Sequence, residues 1–138
     1  MTGHDLVQTL RTWGIRVTAQ RLAVAQVLTE SDDHPTAQQV YERVRDHFPH
    51  ITMGTIYNTM TVLAEKGFVQ PLIFSAGTRY DSNLEPHANL VCVRCGSITD
   101  SDDEDGAVKR LRSKAIASTG FKIMGQRVDF YGLCSNCE

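Results

Sequence analysis

The chain has 138 residues, of which 41% are apolar and 22% charged, and its formal net charge is −2. That is globular composition, enough for one ordinary domain or two small ones and too little for an enzyme-sized core in each half. No apolar run approaches the ~20 residues of a membrane span, the opening Met1-Thr2-Gly3-His4-Asp5 lacks the basic-then-apolar order of a secretory or transit leader, and the near-neutral charge gives no sign of a broad electrostatic grip on nucleic acid, so any such binding has to come from a local surface.

The cytoplasm is therefore the expected compartment, with no membrane partner. Residues 1 to about 70 read as helix after helix. Thr18 precedes the apolar-periodic Leu22, Val24, Ala25, Val27 and Leu28, and its hydroxyl can accept an early helical N–H. Thr36 to Gln39 fits a capping box after Pro35, and Val40, Tyr41, Val44 and Phe48 continue that helix until Pro49 closes it. Thr52 can cap a further helix running to Lys66, with Ile56, Met60 and Leu63 in one apolar stripe and Gly67 as its stop. The period then changes: Phe68 to Phe74, Ser75-Ala76-Gly77 and Thr78-Arg79-Tyr80 read as strand, turn, strand.

Short helices followed by a β-hairpin are the plan of a winged helix, whose recognition helix lies in the major groove of DNA. The helix from Thr52 to Lys66 is the candidate. Away from its apolar stripe it offers Thr55, Tyr57, Asn58, Thr59 and Thr61, uncharged hydrogen-bonding groups suited to base edges and phosphates. An uncharged surface helix has the same composition. Arg11, Arg16, Arg21 and Arg79 suit phosphate contacts or plain surface positions equally.

A polar, Pro-punctuated hinge follows at about residues 81–89, separating a winged-helix domain over 1–83 from a second domain over 84–138. In the second, Leu90 to Val93 reads as a strand entering a cysteine turn and Ile98-Thr99 as another strand. The acidic run from Asp100 to Asp105 then leads into a helix through Val108, Leu111, Ala115 and Ile116, its carboxylates placed well for the positive helix start. Gly120 ends that helix, and Phe121 to Tyr131 reads as a last strand. The core is thin and the strand edges are exposed, which points to pairing with a second copy and to a two-fold-symmetric DNA site. The fold class is α+β, an N-terminal winged-helix DNA-binding domain followed by a small α/β dimerisation domain.

The four cysteines fall as Cys92-x-x-Cys95 and Cys134-x-x-Cys137. Two residues between thiolates let a tight turn aim both sulfurs at one point, and two such turns make the tetrahedral cage of a structural Zn²⁺. A Cys₄ iron site and redox dithiols remain open on spacing alone. His34 in the first half, Asp81 and His87 in the hinge and Asp100 in the second half form a second possible set. Such nitrogen and oxygen donors suit Fe²⁺ or Mn²⁺ as well as Zn²⁺, though a histidine before a proline is also an ordinary surface feature.

Gly14-x-Arg16-x-Thr18-x-Gln20-Arg21, then His34-Pro35-Thr36-Ala37, then Thr55-Ile56-Tyr57-Asn58-Thr59-Met60, then the cysteine pairs closing on Tyr131-Gly132-Leu133-Cys134, together resemble the ferric uptake regulator family of metal-dependent bacterial repressors. The resemblance runs in order over nearly the whole chain. It implies a homodimeric repressor of palindromic operator DNA, a structural Zn²⁺ on Cys92, Cys95, Cys134 and Cys137, and a regulatory Fe²⁺ or Mn²⁺. Within the family the peroxide-sensing branch is the nearest likeness, since Asn58 stands where iron-uptake regulators carry Arg. Its regulatory ligands, three His and two Asp, fall on His34, Asp81, His87, Asn89 and Asp100, so that Asn89 departs from the pattern. An auxiliary metal site would fall on Pro86, Ala88, Ala107 and Gln126, which lack its acids and His.

Arg16, Thr18, Arg21, Thr55, Tyr57 and Asn58 are the DNA-binding candidates, and His34 and His87 the oxidation-sensitive ones. An iron-, manganese- or zinc-responsive uptake regulator of the same family is the alternative reading. A small Cys₄ oxidoreductase or electron carrier is the alternative of another class. No Ser-His-Asp order, phosphate-cradling Gly loop or pair of catalytic carboxylates points to an enzyme.

Overall fold

The computed structural model of the chain describes residues 3–74 and 77–138. Within the proposed turn, Ser75 and Ala76 lie outside the described residues, as do Met1 and Thr2. The chain forms two compact units, the first ending at Leu84 and the second beginning at Glu85.

In the first unit, four helices, α1 (Gly3–Thr12), α2 (Ala19–Glu30), α3 (Ala37–Val44) and α4 (Met53–Glu65), precede the hairpin of β1 (Gln70–Phe74) and β2 (Gly77–Asp81). Each of the last three helices starts where a threonine hydroxyl replaces a missing backbone partner. Thr18 accepts from the N–H of Arg21, Thr36 from Gln39 and Thr52 from Thr55. At Thr36 the box is reciprocal, because the Gln39 side-chain oxygen accepts the Thr36 N–H at 2.9 Å. Leu6, Leu10, Val24, Leu28, Val40, Val44, Ile56, Met60 and Leu63 interlock as one apolar core. Gly67 stops α4 with φ +80°, a left-handed conformation that only glycine adopts cheaply.

Three details differ from the sequence reading. The α3 helix ends at Val44 with Arg45 as its cap, well before Pro49, and Phe48 follows in a turn whose N–H reaches the Val44 carbonyl. Phe68 and Val69 are buried in the helical core, so β1 begins at Gln70. Thr59 is buried with the apolar stripe of α4 instead of facing outward. It follows Ile56 by three residues and precedes Leu63 by four, so the helical period carries it inward.

The second unit holds a three-stranded sheet in the order β4 (Ile98–Asp102), β3 (His87–Cys92), β5 (Asp129–Gly132), with α5 (Ala107–Thr119) between β4 and β5 in sequence. The β3 strand is antiparallel to β4 and parallel to β5. The acidic run does cap α5: Asp103 accepts the N–H groups of Val108 and Lys109, and Asp105 that of Ala107. Those bonds, led by the one from Val108, hold the Asp103 carboxyl below its ordinary range. Gly120 closes α5 at φ +71°.

The last strand is much shorter than Phe121 to Tyr131. Its only described partner is β3, with Asp129 opposite Asn89, and because β3 begins at His87 the residues before Arg127 have no strand of that sheet beside them among the described residues. The β4 strand runs beyond Ile98-Thr99 into the acidic run, so that Asp100 lies in its middle. None of the α5 residues is buried, Val108, Leu111, Ala115 and Ile116 included. The buried apolar residues of this unit are Ala88, Cys92 and Ile98, while Leu111, Phe121, Met124, Phe130 and Tyr131 are exposed.

Candidate metal centres and nucleic-acid interface

Cys92 ends β3 and Cys95 sits in the turn behind it, where Gly96 at φ +76° lets its N–H fold back onto the Cys92 carbonyl at 2.9 Å. Cys134 and Cys137 occupy the equivalent turn after β5, closed by the Cys137 N–H on the Cys134 carbonyl at 3.0 Å. Parallel pairing of Cys92 with Gly132 brings the two turns to the same end of the sheet. Arg94 locks them together by donating to the Cys137 carbonyl at 2.7 Å. One sulfur from each cysteine lies within 4.8 Å of every other, and the cysteines are reduced.

Sulfurs on a tetrahedral zinc at ~2.3 Å stand about 3.8 Å apart, and Cys95 Sγ to Cys134 Sγ is 3.8 Å. The backbone N–H groups of Cys95 and Cys134 point at Cys92 Sγ, at 3.5 and 3.4 Å. They favour its thiolate and pull it down to about 5. Cys137, hydrogen-bonded with Cys134 and then penalised by burial, is pushed up to about 12. Four thiolates at this spacing repel one another, and a divalent cation is the group that permits them all to ionise. The cage fits a zinc site.

His34 lies two residues before the α3 cap at φ +52°, left-handed for a residue with a side chain, a conformation that costs on the order of 1–3 kcal/mol. The Arg79 side chain holds it there, donating from Nε to the His34 carbonyl at 2.6 Å and from Nη2 to the Asp33 carbonyl at 3.1 Å. Asp33 is in turn paired with Arg43 at 2.8 Å. The Tyr80 N–H adds a bond to the Pro35 carbonyl at 2.9 Å. This frame aims His34 Nε2 at Asp81 Oδ2, 3.5 Å away, and both residues are 3% exposed.

The second unit carries a pair of its own. His87 at the head of β3 faces Asp100 on β4, with Nε2 to Oδ1 at 3.6 Å. His87 Nδ1 lies 2.7 Å from the Glu85 carbonyl oxygen. A carbonyl only accepts, so Nδ1 bears the hydrogen, and in the neutral ring this leaves the lone pair on Nε2, the tautomer that binds metal. Asn89 is on the same strand, buried and directly opposite Asp100.

In α4, Tyr57 is 54% exposed and Asn58 is exposed, while Thr55 is half-buried. Thr61 is exposed, but its hydroxyl bonds back to the Tyr57 carbonyl. Thr18 is committed to the α2 cap, and Arg21 Nη1 reaches the Arg16 carbonyl at 3.1 Å. Arg16 is exposed.

Residues 12–131 match the ferric uptake regulator family. The chain belongs to this family. It is 33% identical over 142 residues to the peroxide operon regulator of Bacillus subtilis, covering 100% of this chain and 97% of that one. It is 34% identical over 140 residues to the peroxide-responsive repressor of Staphylococcus aureus, covering 98% and 93%. Among solved structures, the Campylobacter jejuni peroxide stress regulator matches with TM-score 0.77 at 25% identity, over 97% of each chain. The Helicobacter pylori ferric uptake regulator matches in fold with TM-score 0.78 at 20% identity, over 99% of this chain and 94% of that one.

Against that family background two residues acquire roles that spacing did not reveal. Arg79 suits a phosphate contact or a plain surface position by its sequence, yet its guanidinium bonds the backbone beneath His34. No motif in the sequence points to Asp129, which touches Asn89 only because β5 returns parallel to β3. Among the described residues no helix is long and apolar enough to cross a membrane.

Proposed function

We propose that this member of the ferric uptake regulator family is a homodimeric, metal-activated repressor of palindromic operator DNA. In this reading it releases the DNA when peroxide oxidises His34 or His87. The observation that carries it is a His–Asp pair in each unit, buried for His34 with Asp81 and partly buried for His87 with Asp100. A buried imidazole beside a carboxylate is a two-ligand half-site, and an ion wanting four or more donors is served only when both halves serve it together. Asn89 stands at the fifth position of the set.

His34 and Asp81 bind from one unit, His87 and Asp100 from the other, so occupancy favours the arrangement of units that unites them, by its difference in affinity between arrangements. That arrangement is the one proposed to present α4 of both subunits to DNA. Tyr57, Asn58 and Thr55 then read base edges, and Arg16, Thr18 and Arg21 face phosphates. The exposed apolar residues of the second unit form the surface that a second copy covers. Fe²⁺ held there would supply the one-electron chemistry that cleaves the peroxide O–O bond, which Mn²⁺ would not; overall the imidazole is the two-electron reductant, one peroxide oxygen ending on a ring carbon in place of its C–H and the other leaving as water. A His34 or His87 ring so oxidised is a poor ligand and the half-sites part. Zn²⁺ at Cys92, Cys95, Cys134 and Cys137 is structural throughout.

The test is operator binding by gel shift with and without Mn²⁺, followed by peroxide on Fe²⁺-loaded protein. Metal-dependent binding that peroxide abolishes with Fe²⁺ and spares with Mn²⁺ supports the reading. Metal-independent binding refutes it.

A further inference from the structure

Two strand pairings meet at Asn89. In the antiparallel ladder it stands opposite Asp100, and in the parallel ladder beside Asp129. Partners in a ladder share a face of the sheet, and residues two apart on one strand do as well, so His87, Asn89, Asp100 and Asp129 line one face. Asn89 is 2% exposed.

Its amide is oriented by its neighbours. Nδ2 donates to Asp129 Oδ1 at 3.0 Å. The other oxygen of that carboxylate is engaged by Arg127 Nε at 2.8 Å and by the Tyr131 hydroxyl at 3.3 Å. A carboxylate only accepts, so it fixes which end of the amide faces it, and Asn89 Oδ1 is turned the other way. That oxygen is buried and, among the described residues, has no hydrogen-bond partner. Burying a carbonyl oxygen without a donor is unfavourable, and a cation held by His87 and Asp100 on the same face is the partner that would offset the cost.

We propose that Asn89 Oδ1 is a neutral oxygen ligand of the regulatory metal, held in place by the positioning residue Asp129, and that it biases the site toward Mn²⁺ and away from Zn²⁺. This rests on the regulatory site read above from the two His–Asp pairs. With Asn89 the donors are two imidazoles, two carboxylates and an amide carbonyl, whereas an imidazole in its place would make nitrogen the majority. Carboxylate and carbonyl oxygens suit Mn²⁺, and imidazole suits Zn²⁺ and Fe²⁺. Zn²⁺ is intrinsically the tighter binder, so the amide narrows a gap that an imidazole would widen. The ion pair with Arg127 neutralises Asp129, which lets a carboxylate orient the amide without adding net charge beside the metal.

The experiment uses the full chain with zinc on its four cysteines. Mn²⁺ is titrated and the free aqua ion followed by electron paramagnetic resonance, and Zn²⁺ affinity at the regulatory site is measured by chelator competition. Asn89→Ala is expected to weaken Mn²⁺ binding by roughly tenfold or more, and Asp129→Ala by roughly tenfold, the range for a residue that orients a ligand. Asn89→His, which keeps a metal donor and so does not depend on tolerance of a truncation, should raise the Zn²⁺-to-Mn²⁺ affinity ratio at least tenfold. His87→Ala is the reference and should lose Mn²⁺ altogether. If His87→Ala binds Mn²⁺ like the parent chain, the regulatory site itself has failed. If His87→Ala loses Mn²⁺ while Asn89→Ala keeps it and Asn89→His leaves the ratio unchanged, only the role of Asn89 is overturned.

Discussion

His34 is the residue on which sterics and chemistry bear together. Its left-handed backbone is unfavourable by itself, and the Arg79 side chain and the Tyr80 N–H hold the surrounding turn through three carbonyls. His34→Ala and His87→Ala should each abolish metal-activated operator binding while zinc content stays at one per chain, measured by gel shift and metal analysis; operator binding equal to the parent would dismiss the half-sites. Asn58 is exposed on α4 and makes no contribution to the core. Asn58→Arg is therefore expected to change operator preference in a binding selection with the melting temperature unaltered. The hydrogen bond from the Arg43 guanidinium holds the Asp33 carboxyl below the usual carboxylate range. A depressed carboxylate stabilises the fold above its unfolded value, and the contribution fades as pH falls through the lower folded value. Asp33→Asn should thus cost up to about 1 kcal/mol near neutral pH, an exposed pair being worth little, and nothing in strong acid. Urea titrations at the two pH values measure the difference.

Among the elements, the capped helices give the sharpest quantitative test. Thr36→Ala removes one side of a reciprocal box and leaves the Gln39 N–H without its hydroxyl acceptor. The expected loss in a urea titration is about 1 kcal/mol; a loss below ~0.3 kcal/mol would mean that water replaces the hydroxyl at no cost. The same helix starts were legible in the sequence because a cap is a local contract between residues three apart, and so were the α4 stop at Gly67 and the α5 stop at Gly120. Features set by distant pairing were not legible. The residues after Phe121 look like a strand, but strand formation depends on a neighbour, and β3 offers one only from His87 onward. Thr59 looked solvent-facing because its hydroxyl suggests a polar surface, whereas its spacing from Ile56 and Leu63 decides its burial. The cysteine cage was written in two short spacings. The Asn89–Asp129 contact spans forty residues and no spacing announces it.

At the scale of the whole molecule, the two units have unequal means of support. The first has an interlocked apolar core, while the second buries Ala88, Cys92 and Ile98 and leaves α5 without a buried residue. Such a unit needs help from a metal, a partner or both. Removing zinc with a strong chelator under reducing conditions is expected to unfold the second unit and dissociate the proposed dimer while the helical signal of the first persists, a split visible by circular dichroism and sedimentation; a single cooperative loss of both would show the units to be energetically one. The proposed switch joins these units through side chains from each, and its most direct test is mass spectrometry of peptides bearing His34 and His87 after brief peroxide treatment. Protein loaded with Fe²⁺ should gain a single oxygen, about 16 Da, on one of those two histidines, and protein loaded with Mn²⁺ should not. Oxidation scattered over exposed methionines, with both histidines intact in the Fe²⁺ sample, would contradict it.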